Sequence, residues 1–213
     1  MTRGKFIAFE GGEGMGKSTQ ARLLRDALIA RGIEVILTRE PGGTPGAEAI
    51  RDLLLHPPGK GWDAEAEALL FAASRADHVA SLIRPALAEG KWVICDRFVD
   101  SSRAYQGIAG KLGDEDIRTL HDIGSDGLYP DLTILIAVEG LEVADRLRAR
   151  DGDTSDAIGG RDETYHSSVN AAFDAFAQAE PGRFARVDGA GSVEEVQARV
   201  LGAIAPLLHE AAS

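Results

Sequence analysis

The sequence predicts an α/β fold in three layers, with a five-stranded parallel β-sheet flanked by helices. Five short apolar runs, partly β-branched, are separated by stretches of helical periodicity. The runs are continuous rather than alternating, which is typical of strands buried on both faces. Strands spaced by helices indicate βαβ units and therefore parallel pairing. The predicted strands are residues 5–10, 34–38, 92–96, 132–138 and 183–188.

Three stretches between and after these strands are predicted as uninterrupted helices: residues 17–31, 141–150 and 192–208. The last of them begins with a capping box. Ser192 can cap the helix N-terminus, and Glu195 three positions later can return the hydrogen bond.

A fourth helical stretch, residues 63–89, contains a proline. Pro85 has no N–H group and its ring collides with the preceding turn. We therefore expect a kink or a break near Ile83 and Arg84.

Length and composition favour one domain over residues 1–213. The chain has 213 residues, and a prior of roughly 150 residues per domain allows one or two. Neither a linker nor an internal repeat divides it.

The stretch 151–162 is rich in Gly and Asp and poor in apolar residues. It indicates a mobile surface loop, either a lid at roughly residues 150–162 or a plain insert.

The charge balance excludes several classes of partner. The formal net charge is −11, which argues against a general nucleic-acid surface or an anionic membrane surface. Any anionic ligand must then be held by a local cluster of basic groups.

Cys95 is the one cysteine, so an internal disulfide and a Cys-rich zinc site are excluded. The longest apolar runs are too short for a signal peptide or a membrane span. We expect a cytoplasmic protein.

The segment between the first strand and the first helix carries the strongest motif. Residues 11–18 read GGEGMGKS and fit the P-loop pattern G-x-x-x-x-G-K-[ST]. Glycines let backbone N–H groups turn toward phosphate oxygens, and the helix N-terminus adds partial positive charge. The fold class is therefore the P-loop NTPase type, and ATP is the expected co-substrate. The expected nucleotide-binding residues are Gly11, Gly12, Glu13, Gly14, Met15, Gly16, Lys17, Ser18 and Thr19.

The third predicted strand ends in Asp96 and Arg97. In α/β sheets, ligands bind at the carboxyl ends of the strands. Asp96 together with the Ser18 hydroxyl is therefore predicted to hold Mg²⁺ or its waters. Lys17 is predicted to reach the outer phosphates.

The second predicted strand ends at the same edge of the sheet, in the run TREPGGT at residues 38–44. Pro41 favours an extended Glu40, and two glycines then allow a tight turn. Arg39 and Arg97 would converge at this edge, and two guanidinium groups lie close together only when an anion joins them. The sequence thus predicts a second phosphate site beside that of the nucleotide.

Four segments together resemble the bacterial thymidylate kinases: FEGGEG at 9–14, TREPGGT at 38–44, DRF at 96–98 and AYQG at 104–107. They occur in the order of the family, and the similarity spans almost the whole chain. The resemblance implies phosphorylation of dTMP to dTDP with ATP and Mg²⁺, in dTTP synthesis. It also implies a homodimer, for which apolar faces near residues 50–55 and 69–82 are candidates.

The resemblance also implies roles for individual residues. Arg39 and Arg97 would hold the dTMP phosphate. Phe71 would stack on thymine, and Arg75, four residues further along one helix face, would donate to thymine O4. The other residues implied to bind the substrate are Glu40, Tyr105 beside the sugar 2′ position and Gln106 at the base edge.

Basic residues flank the predicted lid. Some members of the family carry an arginine inside the P-loop, where this chain has Gly14. A lid arginine would then supply the missing charge during transfer. Arg161 is the first candidate, and Arg148 and Arg150 are the others. Glu13 is expected to orient water, the metal ion or the acceptor, without abstracting a proton, and it completes the expected catalytic set of Lys17, Arg97 and Arg161.

Three other functions remain open from the residues. A deoxynucleoside kinase would need a carboxylate base near a 5′-hydroxyl, and Glu40 or Glu13 could serve. A GTPase switch commonly has an N-K-x-D segment, whereas the one asparagine here, Asn170, is followed by Ala171. A P-loop subunit that binds ATP within an assembly would not turn over alone.

Overall fold

Five parallel strands form the sheet of this protein, for which a computed structural model describes residues 3–138 and 159–211. The spatial order of the strands is β2-β3-β1-β4-β5, and every neighbouring pair is parallel. All five predicted strands are confirmed with ends within one residue. They are β1 (Phe6–Glu10), β2 (Val35–Arg39), β3 (Trp92–Asp96), β4 (Leu132–Ala137) and β5 (Phe184–Asp188).

Helices connect and cover the strands. The described helices are α1 (Lys17–Ile29), α2 (Pro45–Leu55), α3 (Ala64–His78), α4 (Arg84–Ala88), α5 (Val99–Ser102), α6 (Asp114–Ser125), α7 (Glu163–Ala179) and α8 (Val193–Ala211). The predicted helix at residues 141–150 lies outside the described residues. Within them, no helix has both the length and the apolar character that a membrane span requires.

The predicted capping box at the start of α8 is confirmed. The Ser192 N–H donates to Glu195 Oε2 at 2.8 Å, and the Glu195 N–H donates to Ser192 Oγ at 3.2 Å. Side chains of Thr44, Asp63 and Asp162 cap α2, α3 and α7 in the same way, each accepting from a backbone N–H three residues ahead. These caps satisfy N–H groups that the helix itself cannot pair.

The backbone near Pro85 does not break. It passes from α3 through a π-helical segment, Val79–Ile83, directly into α4. The wider π turn accommodates the proline at the start of α4, where a missing N–H costs no helical hydrogen bond. The predicted irregularity is therefore present next to Pro85, and of the two predicted forms the break does not occur.

The core lies on both faces of the sheet, as the three-layer prediction requires. On β1, Ile7 and Phe9 pack in a cluster with residues of α1 and α8, whereas Phe6 and Ala8 face α4 and the π-helical segment Val79–Ile83. All four side chains are fully buried. The continuous apolar run of β1 therefore reflects burial on two sides.

The strand register brings the functional segments together. Phe9 of β1 and Arg39 of β2 both lie beside Asp96 of β3. The carboxyl ends of these three strands therefore meet at one edge, where the loop before α1, the turn before α2 and the segment after β3 adjoin.

Candidate active site

A cavity of about 460 Å³ lies at this edge of the sheet. Glu13, Lys17 and Ser18 line it from the loop and helix that follow β1, and Asp96 lines it from the end of β3. The predicted acceptor-binding residues all line the same cavity: Arg39, Glu40, Phe71, Arg75, Arg97, Tyr105 and Gln106. The structure thus joins the predicted nucleotide loop and the predicted acceptor site in one space.

The loop between β1 and α1 has the backbone that a phosphate cradle needs. Gly11 and Gly16 have φ angles of 134° and 88°, a region that L side chains rarely adopt. A Cβ atom on Gly11 would also lie 2.4 Å from the Ile136 carbonyl oxygen. Because α1 begins at Lys17, its N-terminal N–H groups and its dipole lie where the loop ends.

Lys17 is buried and has a backbone partner. Its Nζ donates to the Gly12 carbonyl oxygen at 2.6 Å. Burial lowers the pKa of Lys17 to about 7, and the nearby charge of Arg97 acts in the same direction. Among the described residues the ammonium donates to a carbonyl oxygen and makes no ion pair, so a phosphate would be its first directly bonded anion.

Ser18 and Asp96 form the candidate metal site. The Ser18 hydroxyl donates to Asp96 Oδ2, so the two oxygens share one small volume beside the P-loop. A hydroxyl and a carboxylate are suitable ligands for Mg²⁺, which keeps most of its waters. Among residues 3–138 and 159–211, no three His, Cys, Asp or Glu side chains cluster as a self-contained metal site. The donor set fits a metal held mainly by phosphate and water.

Arg97 has a backbone conformation that is uncommon for a residue with a side chain. Its φ is 71°, which turns the residue out of the line of β3. Nη1 donates to the Gly11 carbonyl oxygen at 3.3 Å and to Ser101 Oγ at 3.1 Å, and the guanidinium lies 5.1 Å from the Tyr105 ring centroid. Burial lowers the pKa of Arg97, but Tyr105 and the surrounding carboxylates outweigh it, so the pKa lies above its usual value.

Glu10 is a functional candidate that the sequence analysis missed, although it is part of the quoted segment 9–14. This fully buried carboxylate accepts from the N–H groups of Phe98 and Ser101 at 2.8 and 3.0 Å, and from Ser101 Oγ at 2.6 Å. It thereby anchors the segment that follows Arg97, including the Ser101 hydroxyl that accepts from Arg97. Burial raises the pKa of Glu10 to about 7, and the charge of Asp100 acts in the same direction. The sequence feature that could have indicated Glu10 is an acidic residue at the end of an otherwise apolar strand.

Arg75 is held rigidly at the back of the cavity. Its Nε donates to Glu40 Oε2 at 2.8 Å, and its Nη2 donates to Ser102 Oγ at 2.8 Å. Glu40 also pairs with His78 Nδ1 at 3.1 Å. Burial raises the pKa of Glu40, but Arg75 and His78 outweigh it, so the pKa lies below its usual value. Glu40 thus binds Arg75 through Oε2 and is itself held by His78 through Oε1.

Arg39 lies at the rim of the cavity and is exposed. Its Nη2 donates to both oxygens of Glu48 at 3.0 and 3.1 Å, and Glu48 also accepts from the Gly43 N–H at 2.8 Å. Sequence reasoning placed Arg39 correctly but missed Glu48, an acidic residue in the first turn of α2.

The two predicted aromatic contacts differ in burial. Phe71 is half-buried on α3 and lines the cavity. Tyr105 is 4% exposed, and its hydroxyl has no hydrogen-bond partner among the described residues. A buried hydroxyl without a partner is costly, and a ligand in the cavity could supply one.

Arg161 does not line the cavity. Its guanidinium pairs with Glu67 Oε2 and with the Tyr165 hydroxyl, 94 residues and four residues away along the chain. The other oxygen of Glu67 accepts from Gln106 Nε2 at 2.8 Å. Glu67, which sequence reasoning missed, therefore joins Arg161 to a predicted base contact. Arg148, Arg150 and most of the predicted lid lie outside the described residues.

Comparison with known proteins identifies the family. A family model described as thymidylate kinase matches residues 9–200. The chain belongs to the thymidylate kinase family. The thymidylate kinases of Rhizorhabdus wittichii and Chromohalobacter salexigens are 55% and 49% identical to it, over 96% and 94% of this chain and 99% and 94% of the relatives.

A solved thymidylate kinase structure agrees with the fold. The enzyme from Ehrlichia chaffeensis superposes with a TM-score of 0.76 at 33% identity, over 94% of this chain and 98% of that chain. Membership of the thymidylate kinase family makes this chain a nucleoside monophosphate kinase. The resemblance inferred from the four sequence segments is confirmed.

Proposed function

We propose that this protein transfers the γ-phosphoryl group of ATP to dTMP. The bond from the γ-phosphorus to its bridging oxygen breaks, and a bond from that phosphorus to a dTMP phosphate oxygen forms, giving ADP and dTDP. Besides the family, one observation carries the proposal. A single cavity contains a P-loop lysine and hydroxyl together with Arg39, Arg75 and Arg97.

The arginines at the carboxyl edge suit the acceptor phosphate. Arg97 is held from both sides by bonds to Gly11 and Ser101, and Arg39 lies at the rim on the neighbouring strand. A phosphate monoester has a second pKa near 6, so it is largely a dianion at neutral pH and needs no general base. Positioning and charge neutralisation then account for most of the catalysis. Glu13 lines the cavity and serves to orient the reactants rather than to take a proton.

The remaining acceptor residues suit a thymine base. Phe71 provides a ring for stacking, and Arg75 provides a fixed donor that matches the O4 carbonyl of thymine and opposes the amino group of cytosine. Tyr105 fills space beside the sugar, and Gln106 faces the base edge.

The P-loop residues suit the phosphates of ATP. Lys17 exchanges its bond to the Gly12 carbonyl for the outer phosphates. We propose that Ser18 and Asp96 hold Mg²⁺ there, which neutralises charge on the β- and γ-phosphates when it is bound. The Ser18 hydroxyl oxygen and Asp96 Oδ2 already adjoin, so binding of the ion needs little rearrangement of these side chains.

A coupled assay of ADP release tests the function. dTMP should be the preferred acceptor, dUMP should be weaker and dCMP very poor. Comparable efficiency with dCMP or AMP would remove the thymine assignment. Turnover of thymidine instead would indicate a deoxynucleoside kinase, and turnover only inside a complex would indicate an assembly subunit.

We also propose a homodimer in the cytoplasm. Leu53 on α2, Leu69 on α3 and Ile123 on α6 are 44%, 56% and 79% exposed, and α3 packs against both other helices. Exposed apolar side chains on three helices that pack together suit contact with a second copy of the chain. Light scattering should report twice the chain mass, and a Leu69→Glu variant should report the monomer. Cell fractionation tests the location.

A further inference from the structure

Glu67 lies on the same face of α3 as two of the residues proposed to bind the base. Glu67, Phe71 and Arg75 are spaced four residues apart, so they form one stripe along the helix. Phe71 and Arg75 line the cavity, and Glu67 is buried just beyond them. At this position Glu67 can orient another residue that contacts the base, rather than contact the base itself.

The contact that Glu67 controls is the side-chain amide of Gln106. An amide has one donating end and one accepting end, and an ionised carboxylate can only accept. The bond between Glu67 Oε1 and Gln106 therefore fixes the NH₂ group toward Glu67, at 2.8 Å. The chemistry of the pair alone requires this orientation, because only the NH₂ end of the amide can donate to a carboxylate. Gln106 Oε1 accepts no hydrogen bond from the described residues, although Gln106 lines the cavity.

Arg161 limits the freedom of Glu67. Its guanidinium occupies Oε2, so Oε1 is the oxygen left for Gln106. A charge-assisted bond on one oxygen holds the carboxylate in one orientation. The amide of Gln106 is consequently bound to a fixed acceptor.

We propose that Glu67 is a positioning residue for specificity, which turns the carbonyl of Gln106 toward the acceptor base. The inference rests on the proposed dTMP kinase function. Arg75 offers a donor and Gln106 then offers an acceptor, which together complement the O4 and N3–H of thymine. Cytosine presents the reverse pattern, an amino donor and a bare N3 acceptor. A reversed amide at position 106 would therefore favour cytosine.

The test is a Glu67→Gln variant, because a glutamine at this position can accept from or donate to Gln106. Steady-state kinetics with dTMP and dCMP should show the kcat/KM ratio of dTMP to dCMP falling at least tenfold, with kcat on dTMP changing less than KM. Glu65→Gln is the matched control, since Glu65 is exposed two residues earlier on α3 and the charge change is the same. Its ratio should equal that of the wild type.

A double-mutant cycle with Gln106→Ala separates positioning from a general structural role. If Glu67 acts through Gln106, then Glu67→Gln should leave the ratio of the Gln106→Ala protein unchanged. An unchanged ratio in the single variant, the same fall in both backgrounds, or a Glu67→Gln protein that fails to fold would each overturn the inference. A wild-type protein inactive on dTMP would instead overturn the proposed function.

Discussion

Helix α5 contributes to two clusters of buried and partly buried charges, and the two clusters differ in how their charges are paired. The first, called the active-site cluster, comprises Glu10, Lys17, Asp96 and Arg97. Lys17 there has a carbonyl oxygen as its hydrogen-bond acceptor, and its pKa is lowered to about 7 by burial. Ser101 of α5 donates to Glu10 in this cluster. Arg97 has one long carboxylate contact, Nη2 to Glu13 Oε1 at 3.8 Å, and both cationic groups line the cavity in which a phosphate would bind.

The second, called the buttress cluster, is paired within the protein: Asp100, Arg103, Asp114, Arg118, Glu180 and Arg183. Asp100 accepts from Arg103 at 2.8 Å and from Arg183 at 2.6 and 2.8 Å. Burial raises the pKa of Asp100, but the two arginines outweigh it, so its pKa lies below the usual value. This cluster ties α5 and the π-helical segment Arg103–Ala109 to α6 and to the start of β5.

The contrast indicates which charges serve ligands and which serve the fold. Charges paired by protein groups stabilise the scaffold, and breaking such a pair leaves a buried charge without compensation. Charges with weak internal partners gain their strongest interactions when phosphate binds. Asp100 of the buttress cluster is adjacent on α5 to Ser101, which binds both Arg97 and Glu10, so the positions of these two active-site charges depend on the buttress cluster.

The largest expected effect is on turnover, from Lys17→Ala. Loss of the charge that stabilises the transferring phosphoryl group should lower kcat by roughly 10³-fold. The fold should persist, because the partner of Lys17 is a backbone carbonyl. Turnover and circular dichroism are the measurements, with Lys60→Ala as an exposed control of equal charge change. Wild-type turnover in Lys17→Ala would remove Lys17 from the mechanism.

Asp100→Asn should act mainly on stability. Removing one charge from a buried, multiply paired carboxylate costs about 3 kcal/mol. For a chain of this size that lowers the unfolding midpoint by roughly 6–12 °C. Asp116→Asn, on the exposed side of α6, should leave the midpoint unchanged in the same thermal scan. Equal midpoints for both variants would contradict the role of the buttress cluster.

Arg97→Ala should weaken use of dTMP more than Arg39→Ala does. Loss of a charge-assisted bond of about 1.5–3 kcal/mol should raise the KM for dTMP roughly 10- to 100-fold, with the KM for ATP little changed. The effect of Arg39→Ala should be smaller, because Arg39 is exposed and shared with Glu48. Unchanged dTMP kinetics in both variants would eliminate the proposed acceptor phosphate site.

Arg161 belongs to neither cluster, because it pairs with Glu67. If it supplies charge on the donor side, it must exchange Glu67 for phosphate, and Arg161→Ala should lower turnover at least roughly tenfold. Titration with dTMP in the absence of ATP should show a smaller loss of affinity than Glu67→Gln shows, because Glu67 can still accept from Gln106. Normal turnover here with a large loss in Arg148→Ala or Arg150→Ala would assign the role to another arginine. Normal turnover in all three would exclude a lid arginine.

The smallest effect concerns pH and Glu10. Its folded pKa of about 7 exceeds the unfolded value, so the folded state holds the proton more tightly and stability falls as pH rises from 4.5 to 7. Burial lowers the pKa of His121 to about 4, which gives the opposite slope below pH 6.5. The difference between wild type and Glu10→Gln isolates Glu10. Denaturant titrations should show the variant gaining on the order of 1 kcal/mol relative to wild type between pH 5 and 7.5. A constant difference would contradict this assignment.

Sequence patterns predicted the sheet and the position of the site because both depend on local signals. Each strand is an apolar run, and the glycines with Lys17 mark the P-loop without reference to other segments. The location of Arg39 and Arg97 on one cavity followed from parallel strands that end at one edge of the sheet.

The missed residues depend on partners far away in the chain. Glu10 binds a segment 88 residues later, and Glu67 binds Arg161 at a separation of 94 residues. The hydrophobic periodicity of a sequence predicts helices and strands, but it does not indicate pairs of residues this far apart. The same holds for Pro85, since the choice between a break and a π turn depends on the packing of Val79 and Ile83 beneath the sheet.

Thermal unfolding with and without saturating dTMP tests the contrast between the clusters most directly. A ligand at 1,000 times its Kd stabilises the folded state by about 4.1 kcal/mol. Asp100→Asn should unfold at a lower temperature than the wild type but retain the increment from dTMP. Arg97→Ala should unfold near the wild-type temperature without ligand and lose most of the increment. The reverse pattern, with a low basal midpoint for Arg97→Ala and a lost increment for Asp100→Asn, would contradict the account.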